Sequence, residues 1–309
     1  MILTVTLNPA LDKTLFVDRH APQDTLRATR VLHIAGGKGI NVSRALRALG
    51  EDSLALAPIG GHSGAHLAEL AAAEGLNLFP VPIAGQSRTA ITIQVAGSDR
   101  YWHYLEPGPE LSPAEQAGLL RAFESALPRC HTVVLSGSLP APSAAPVITE
   151  MVRLGKLAGV RVALDAFGAQ LRSAMEAGPW MAKPNQEEWL NTWGDPLDTE
   201  ESRFRALDRM AAWGIEVAVL SLGVGGALAL TAGVRYRVLP PGIREVNDLG
   251  SGDSFVAGLC WATQRGYNPE ESLAWAAACG AANAAVWDPG GIDRAEVERL
   301  RPLVQVVRV

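Results

Sequence analysis

The stretch best suited to chemistry runs from Asn247 to Gly258 and reads Asn-Asp-Leu-Gly-Ser-Gly-Asp-Ser-Phe-Val-Ala-Gly. Its glycines let the backbone turn so that several N–H groups point into one concavity. A helix beginning at Asp253 or Ser254 would add unpaired amides and the positive end of its dipole, which together predict an anion site. The Asp253 carboxylate would repel an anion, so we interpret it as a base that deprotonates a hydroxyl attacking a bound phosphate. Taken alone, these residues are equally consistent with helix N-cap chemistry.

A second glycine-rich turn lies near the amino terminus. Ala35-Gly36-Gly37-Lys38-Gly39 leads into a segment whose apolar residues recur at helical spacing, which predicts another helix start able to bind an anion, with a lysine beside it. It is not a P-loop, because glycine follows Lys38 where a P-loop has the Ser or Thr that binds the metal. The chain also contains no GxGxxG dinucleotide motif. Two common nucleotide-binding folds are therefore excluded.

Strands alternate with helices through most of the chain. Residues 2–7 form an apolar strand that ends at Asn8-Pro9, and apolar runs at 133–135 and 217–221 each precede polar and glycine residues. This alternation predicts a mostly parallel α/β sheet with helices on both faces, which binds ligands where its strands end. Asp12 follows the first strand and is a candidate ligand of this kind, although turn preferences explain it equally well.

Four β-rich segments do not fit this alternation. Segments 89–96 and 100–106 flank Gly97-Ser98-Asp99, which is a hairpin signal. With segments 12–18 and 29–35 they predict a small separate sheet that forms a lid. We therefore expect residues 1–309 to form a single domain with a lid.

Composition narrows the classes of function. The 309 residues can bury one large α/β core or two moderate domains. The net charge of −5, without a basic run, argues against nucleic-acid binding. No apolar run approaches the roughly 20 residues that span a bilayer, so we expect no membrane partner. Three widely spaced cysteines favour a reducing, cytoplasmic location over a disulfide framework or a metal site.

Several separated motifs occur together in one order along the chain. They are Thr4-Val5-Thr6-Leu7-Asn8-Pro9-Ala10-Leu11-Asp12, Gly36-Gly37-Lys38-Gly39-Ile40-Asn41-Val42-Ser43-Arg44, Leu135-Ser136-Gly137-Ser138-Leu139-Pro140, Lys183-Pro184-Asn185-Gln186-Glu187-Glu188, Ser221-Leu222-Gly223 and Gly250-Ser251-Gly252-Asp253-Ser254. Through them the chain resembles the ribokinase-like (PfkB) carbohydrate kinases over essentially its whole length. It is most similar to their phosphosugar branch, which includes 1-phosphofructokinases, tagatose-6-phosphate kinases and minor 6-phosphofructokinases.

The resemblance implies a role for each candidate residue. Asp253 would be the base, and the amides of Gly250, Ser251 and Gly252 would form an anion hole for the transferred phosphoryl group. The residues implied to bind the phosphosugar are Asp12, Gly37 and Asn41 at its hydroxyls, and Lys38, Arg88, Arg27 and Ser138 at its phosphate. Those implied to bind ATP are Lys183, Asn185, Ser221, Gly223 and Gly225 at the phosphates and Asn283 near the adenine. Glu188, with Asn185, would act on Mg²⁺ through water or phosphate, and Asn185 with Glu188 also forms a capping-box analogue.

Three positions depart from the family pattern. Gly-Ser-Gly-Asp replaces the usual Gly-Ala-Gly-Asp. Asp165-Ala166-Phe167-Gly168 stands where Asp-Thr/Ser-Ser-Gly is frequent. Glu106 makes its segment similar to the corresponding segment of tagatose-6-phosphate kinases. These departures bear on the sugar and leave the reaction unchanged.

The resemblance implies an enzyme that uses ATP and Mg²⁺ to phosphorylate a ketohexose phosphate, with fructose 1-phosphate expected as substrate and a homodimer formed through the lid. The alternatives are a tagatose-6-phosphate kinase, a 6-phosphofructokinase or a kinase of an unphosphorylated sugar. The non-enzyme alternative is a catalytically inactive regulator that binds a sugar phosphate. Asp253 argues against it, because a protein that only binds its ligand needs no base.

Overall fold

The computed structural model describes residues 1–19, 25–97, 101–166, 168 and 171–309. Its strands are β1 (Ile2–Val5), β2 (Ala10–Val17), β3 (Arg30–Gly36), β4 (Ser53–Ile59), β5 (Leu78–Pro82), β6 (Arg88–Val95), β7 (Tyr101–Leu105), β8 (Thr132–Gly137), β9 (Arg161–Ala166), β10 (Met181–Ala182), β11 (Val217–Ser221), β12 (Ala227–Thr231), β13 (Val234–Leu239) and β14 (Gln305–Arg308). Its α-helices are α1 (Lys38–Ala48), α2 (Gly61–Ala73), α3 (Pro113–Ala126), α4 (Ala145–Leu157), α5 (Leu171–Glu176), α6 (Gln186–Trp193), α7 (Glu200–Ala212), α8 (Ser251–Gln264), α9 (Pro269–Ala284) and α10 (Arg294–Leu300).

The main sheet has ten strands in the order β14-β13-β12-β11-β10-β9-β8-β1-β4-β5. The seven strands from β11 to β5 are parallel, and β12, β13 and β14 extend the sheet by antiparallel pairing. All four residues of β1 are buried, because helices cover both faces of the sheet and form a hydrophobic core on each. The predicted mostly parallel α/β sheet is confirmed.

A separate four-stranded sheet, the lid, has the order β3-β2-β6-β7. The β2–β3 and β6–β7 pairs are antiparallel, whereas β2 and β6 run parallel. β2 begins at Ala10, directly after Asn8-Pro9, so the structure places Asp12 within a strand and not in the alternative turn. Of the predicted hairpin turn, Ser98 and Asp99 lie outside the described residues, as do residue 100 of the predicted lid segment and Phe167 of the Asp165 motif.

The two faces of the lid are distinct. Side chains alternate along a strand, so Asp12 and Phe16 of β2 share the face that we call the inner face. Tyr101 also lies on it and donates a hydrogen bond from its hydroxyl to Asp248 Oδ1 at 3.2 Å. The ring of Phe16 lies 5.7 Å from that of Trp287. The inner face therefore lies against the loops beside α8.

Within the described residues, no helix is long and apolar enough to cross a membrane. The three cysteines are free thiols; Cys260 and Cys279 are buried, and Cys130 is partly exposed.

Candidate active site

Helix α8 begins at Ser251, two or three residues before the predicted start at Asp253 or Ser254. Gly250 is its N-cap in the left-handed conformation (φ 83°, ψ −4°), and a side chain there would meet Pro289 at 2.8 Å, so glycine is required. The Ser251 amide, also predicted for the anion hole, donates to Asp248 O at 3.1 Å. In the part of the chain that the structure describes, the amides of Gly250, Gly252 and Asp253 donate to no protein acceptor. These three donors are available to an anion.

Asp253 is buried, with 3% of its surface exposed. Its Oδ2 accepts a hydrogen bond from Asn41 Nδ2 at 2.8 Å. Burial raises the pKa of Asp253 to about 6, against the opposing effect of the nearby Lys38 charge; the Asp165 charge also raises it. A carboxylate with this pKa is ionised at neutral pH and is a stronger base than an ordinary aspartate.

Four further charged side chains surround Asp253, two of them lysines. Lys183 Nζ lies 3.0 Å from Asp165 Oδ1, and Lys38 Nζ lies 3.9 Å from Asp165 Oδ2 and 3.6 Å from Glu188 Oε1. Burial alone would lower the pKa of Lys38, but the charges of Asp165, Asp253 and Glu188 outweigh it and hold that pKa above its ordinary value. Burial opposes ionisation of Asp165 as well, yet the two lysines lower its pKa. Lys38 and Asp165 therefore stay charged, and the two lysines of the cluster are available to phosphate oxygens.

Lys38 and Arg88, which the resemblance assigns to the same phosphate, have different neighbours in the structure. The sequence placed Lys38 with Arg88 at the phosphate that the substrate already carries. In the structure its ammonium lies among the carboxylates around Asp253, whereas Arg88 lies near Asp12. The structure thus places the Lys38 ammonium beside Asp165 and Glu188.

Asn185 and Glu188 form the predicted capping box of α6. Asn185 Oδ1 accepts from Glu188 N at 2.7 Å, and Glu188 Oε2 accepts from Asn185 N at 2.9 Å. Glu188 turns its other oxygen toward Lys38. The Glu188 carboxylate therefore caps α6 with one oxygen and takes part in the charged cluster with the other.

Ser221 ends β11 beside Asn185, with which it forms a bridge between neighbouring strand ends. Gly223 and Gly225 follow in an exposed turn, where Val224 is 87% exposed. This turn and Lys183, whose amine lies beside the start of α8, border the same edge of the sheet. The predicted ATP-phosphate residues are therefore brought together.

Asp12 and Arg88 lie on strands β2 and β6, on the side of the site that the lid forms. Burial raises the pKa of Asp12 to about 7, although the charges of Arg88 and Arg44 oppose the shift. The Asp12 carboxylate fits because residue 36 is glycine: a Cβ there would lie 2.1 Å from Asp12 Oδ2. Gly37 caps α1 without a side-chain hydrogen bond, and Asn41 follows one turn later.

Arg88 donates from Nε and Nη2 to Asn8 O, each at 3.3 Å. The Asn8 side chain donates to Ser138 Oγ at 3.1 Å and to Leu139 O at 3.2 Å. Asn8 thus links the two predicted phosphate ligands Arg88 and Ser138. Arg27 is exposed ahead of β3, and none of the described contacts joins it to them.

Asn283, which was predicted near the adenine, forms hydrogen bonds only within the protein among the described contacts. It is fully buried, and its Nδ2 donates to Leu249 O at 2.7 Å and Ser251 Oγ at 3.2 Å. Its Oδ1 accepts from Ser254 Oγ at 3.1 Å and Gly290 N at 2.6 Å. With all its hydrogen-bonding capacity used, its side chain holds the start of α8 in place.

Arg44 is a site residue that the sequence motifs contained but to which they gave no role. It donates from Nη1 to Asn41 Oδ1 at 2.9 Å, which fixes the Asn41 amide so that Nδ2 faces Asp253. It also binds Ala35 O, Pro289 O and Glu74. Asp165 was likewise named at the end of a strand and in a departure from the family pattern, but was given no role. The sequence shows Arg44 and Asp165 as polar residues at a helix start and at a strand end. It does not show which residue each side chain contacts.

A cavity of about 760 Å³ lies at the opposite edge of the sheet, with Cys130, His131 and Arg161 in its wall. It contains none of the predicted site residues. The Asn41–Asp253 hydrogen bond and the effect of the Asp253 charge on the pKa of Asp12 place the candidate site between the lid and the main sheet. Cavity size does not indicate this position.

Comparison with known proteins agrees with this geometry. The family model for pfkB family carbohydrate kinases matches residues 5–290. Phosphofructokinase-2 from Escherichia coli, solved in complex with fructose-6-phosphate, is 27% identical with a TM-score of 0.88 over 97% of this chain and 98% of the other. A Thermotoga maritima protein described as a possible 1-phosphofructokinase is 26% identical with a TM-score of 0.87, over 100% and 99% of the two chains.

Arabidopsis thaliana ribokinase, at 21% identity and a TM-score of 0.77 over 97% of this chain and 98% of the other, shares the fold. The chain therefore belongs to the pfkB family of carbohydrate kinases, as a phosphofructokinase-like sugar kinase.

Proposed function

We propose that this kinase transfers the terminal phosphoryl group of ATP to fructose 1-phosphate and forms fructose 1,6-bisphosphate. The observation that carries the proposal is Asp253, a buried carboxylate with a raised pKa beside unpaired amides at the start of α8. A binding protein for anions gains nothing from a carboxylate there, whereas phosphoryl transfer to a hydroxyl uses a base.

In the proposed reaction Asp253 accepts the proton of the sugar hydroxyl as its oxygen bonds to the terminal phosphorus of ATP. The bond from that phosphorus to the bridging oxygen breaks, and ADP leaves. Lys38, with the amides of Gly252 and Asp253, stabilises the charge that spreads over the transferred group. Asn41 keeps the Asp253 carboxylate oriented, and Arg44 keeps Asn41 oriented.

Lys183, Asn185, Ser221, Gly223 and Gly225 are proposed to bind the phosphates of ATP at the strand ends. Among the described residues no three His, Cys, Asp or Glu side chains lie close enough together to form a metal cage. Two carboxylates, Glu188 and Asp165, nevertheless suit Mg²⁺, which takes one or two carboxylates together with phosphate oxygens and water. When bound, the ion would neutralise charge on the phosphates.

Arg88 and Ser138 are proposed to bind the phosphate already present on the sugar, with Arg27 as a further ligand. Arginine offers a planar fork that grips phosphate with two charge-assisted hydrogen bonds. Asp12, Gly37 and Asn41 are proposed to bind sugar hydroxyls. A free sugar would offer the half-buried Arg88 guanidinium only neutral hydroxyls in place of the phosphate.

A 6-phosphofructokinase is the second candidate. It is favoured by the likeness to phosphofructokinase-2, whose structure was solved with fructose-6-phosphate. Both substrates carry one phosphate and one reacting hydroxyl, so the same Arg88 and Asp253 could serve either.

We also propose that the enzyme forms a homodimer through the outer face of the lid. Leu15 and Ile93 lie on this face together with Val31, which is 48% exposed, and Tyr104, which is 54% exposed. Burying such a face against its copy removes apolar area from water. Sedimentation at micromolar concentration should give a dimer, and a monomer with and without sugar phosphate would contradict it.

The substrate proposal is tested by ADP release on fructose 1-phosphate, fructose 6-phosphate, tagatose 6-phosphate and free fructose. We expect fructose 1-phosphate to have the highest kcat/KM and fructose to be a poor substrate. Arg88→Ala should raise KM for the phosphosugar far more than KM for ATP, and Arg88→Lys should recover only part of the loss, because a point charge lacks the fork. Equal use of fructose by the wild type, with Arg88→Ala without effect, would contradict a phosphosugar substrate.

A further inference from the structure

Two contacts join the inner face of the lid to the loops beside the start of α8. The Tyr101 hydroxyl on β7 donates to Asp248 Oδ1 at 3.2 Å, and the ring of Phe16 on β2 lies 5.7 Å from that of Trp287. Phe16 and Tyr101 are both in register with Gln94 of β6, so the two aromatic residues belong to one row across three lid strands. The lid therefore reaches the α8 loops through a single row of side chains.

Asp248 begins the turn from which α8 starts. Its carbonyl accepts from Ser251 N at 3.1 Å, and Gly250, the third residue of this turn, has a positive φ of 83°. Gly252 and Asp253 follow at once, and in the described part of the chain their amides donate to no protein acceptor. The orientation of the turn therefore determines where these two amides point.

Protein groups outside the turn hold it in place. Asn283 Nδ2 donates to Leu249 O at 2.7 Å, and Tyr101 holds the Asp248 side chain. Asn283 belongs to α9 and is fully buried, whereas Tyr101 belongs to the lid and is partly exposed. One of these two contacts therefore depends on the position of the lid.

The Tyr101 phenol is suited to donate this hydrogen bond. Burial raises its pKa, and the charge of Asp248, the hydrogen bond to Asp248 and the charge of Glu245 raise it as well. The phenol therefore keeps its proton at neutral pH, and its hydrogen bond to a carboxylate is stronger than one between neutral groups.

We propose that Tyr101 is a positioning residue for phosphoryl transfer: through Asp248, its hydroxyl sets the turn that presents the amides of Gly252 and Asp253. The inference rests on the proposed kinase function, in which these amides stabilise the transferred group. Tyr101 touches neither the reacting hydroxyl nor the transferred group in this proposal. Its loss should therefore act on kcat and leave substrate binding largely intact.

Steady-state kinetics test this with the hexose phosphate that the wild-type enzyme phosphorylates fastest. Tyr101→Phe removes the hydroxyl and keeps the ring. It should lower kcat by roughly three- to tenfold, which is the effect of one hydrogen bond of ordinary net strength, while KM for ATP and for the hexose phosphate stay within about twofold. Tyr267→Phe removes a hydroxyl beyond the other end of α8, and it should leave all three constants unchanged.

A double-mutant cycle shows whether Tyr101 acts through Asp248. Asp248→Ala removes the acceptor and should lower kcat about as far as Tyr101→Phe does. Adding Tyr101→Phe to Asp248→Ala should cause no further loss, because the hydrogen bond is already absent. Additive losses would overturn the proposal, since the hydroxyl would then act by a route that does not include Asp248.

Amide hydrogen exchange at Ser251 reports on the turn without any need for activity. The bond from Ser251 N to Asp248 O protects this amide, so its exchange should be roughly threefold or more faster in Tyr101→Phe than in the wild type. An unchanged exchange rate at Ser251, or an unchanged kcat, would overturn the role of Tyr101 while leaving the kinase proposal intact.

The failure of the kinase proposal would look different. A wild-type enzyme that phosphorylates none of the hexose phosphates would overturn the proposed function, and with it the catalytic purpose of the contact, while exchange at Ser251 would still show whether Tyr101 holds the turn. If Tyr101→Phe is poorly folded, Asp248→Ala breaks the same hydrogen bond from the other side. An Asp248→Ala enzyme with the kcat of the wild type would then contradict the proposal.

Discussion

Helices α8 and α9 pack side by side, yet their amino-terminal ends are built in opposite ways. The N-cap of α9 is Asn268, whose side chain accepts from Glu271 N at 2.9 Å, while the Glu271 carboxylate accepts from Asn268 N at 3.3 Å. The N-cap of α8 is Gly250, which has no side chain to offer. Its third residue, Asp253, is at the same helix position as Glu271 but turns away to Asn41.

The difference shows how a helix start is used for stability or for binding. In α9 the chain satisfies its own amides, which stabilises the helix end. In α8 the amides of Gly252 and Asp253 are left without protein acceptors, in the part of the structure that is described, and a buried carboxylate stands beside them. The start of α8 is stabilised from outside, by Asn283 and by the Pro289-Gly290 loop.

The largest expected effect is that of Asp253→Asn. It should lower kcat by roughly 10²–10⁴, because an amide cannot accept the hydroxyl proton. The free energy of unfolding should not fall: the folded-state pKa of Asp253 is raised from 3.8 to about 6, so its charge opposes folding as pH rises through this range. Steady-state kinetics and thermal unfolding measure the two quantities.

Glu271→Gln is the matched control at the same position of α9, and it should leave kcat unchanged. An Asp253→Asn enzyme that keeps more than about a third of the wild-type kcat would remove Asp253 from the mechanism.

Asn41→Ala should change the pH dependence of the reaction. The Asn41 hydrogen bond favours the charged form of Asp253, so its loss raises that pKa above about 6, by roughly one unit. The acid limb of the kcat profile should therefore move to higher pH. Asn41 is also a proposed sugar ligand, so the midpoint of the limb, and not the absolute rate, reports the shift. A midpoint identical to that of the wild type would show that Asn41 does not act on the base.

The smallest effect is expected at the start of α9. Asn268→Ala removes the cap and should lower the free energy of unfolding by about 1 kcal/mol, with kcat within about twofold of the wild type. Denaturant unfolding and the ADP-release assay test this together. A large loss of kcat with little change in stability would mean that the two helix starts do not differ as described.

The same contrast explains what could be predicted from the sequence. Capping is local, so Asn185 and Glu188 were identified as a pair three residues apart, and the structure confirms their hydrogen bonds. The alternation of strands and helices is also local, and the mostly parallel sheet follows from it. Asp12 was ambiguous because turn preferences explain an aspartate there as well as a binding role does, and the local sequence does not show its partners in β3 and β6.

Contacts between distant segments could not be predicted. Asn41 and Asp253 are 212 residues apart, and nothing in either motif specifies that one donates to the other. Lys38 was assigned with Arg88 to the substrate phosphate by the resemblance, which did not show that Asp165 and Glu188 attract its ammonium. Asn283 was assigned a ligand contact by resemblance, and only its burial reveals that its amide is fully used inside the protein.

Amide hydrogen exchange at Gly252 and Asp253 tests the central claim most directly. MgADP, aluminium fluoride and the hexose phosphate together mimic the transferred phosphoryl group between its donor and acceptor. We predict that adding them slows exchange at these two amides by roughly tenfold or more, while exchange at Glu270 and Glu271 in α9 is unchanged. Bound ligands with no slowing at Gly252 and Asp253 would contradict the claim that the start of α8 holds the phosphoryl group.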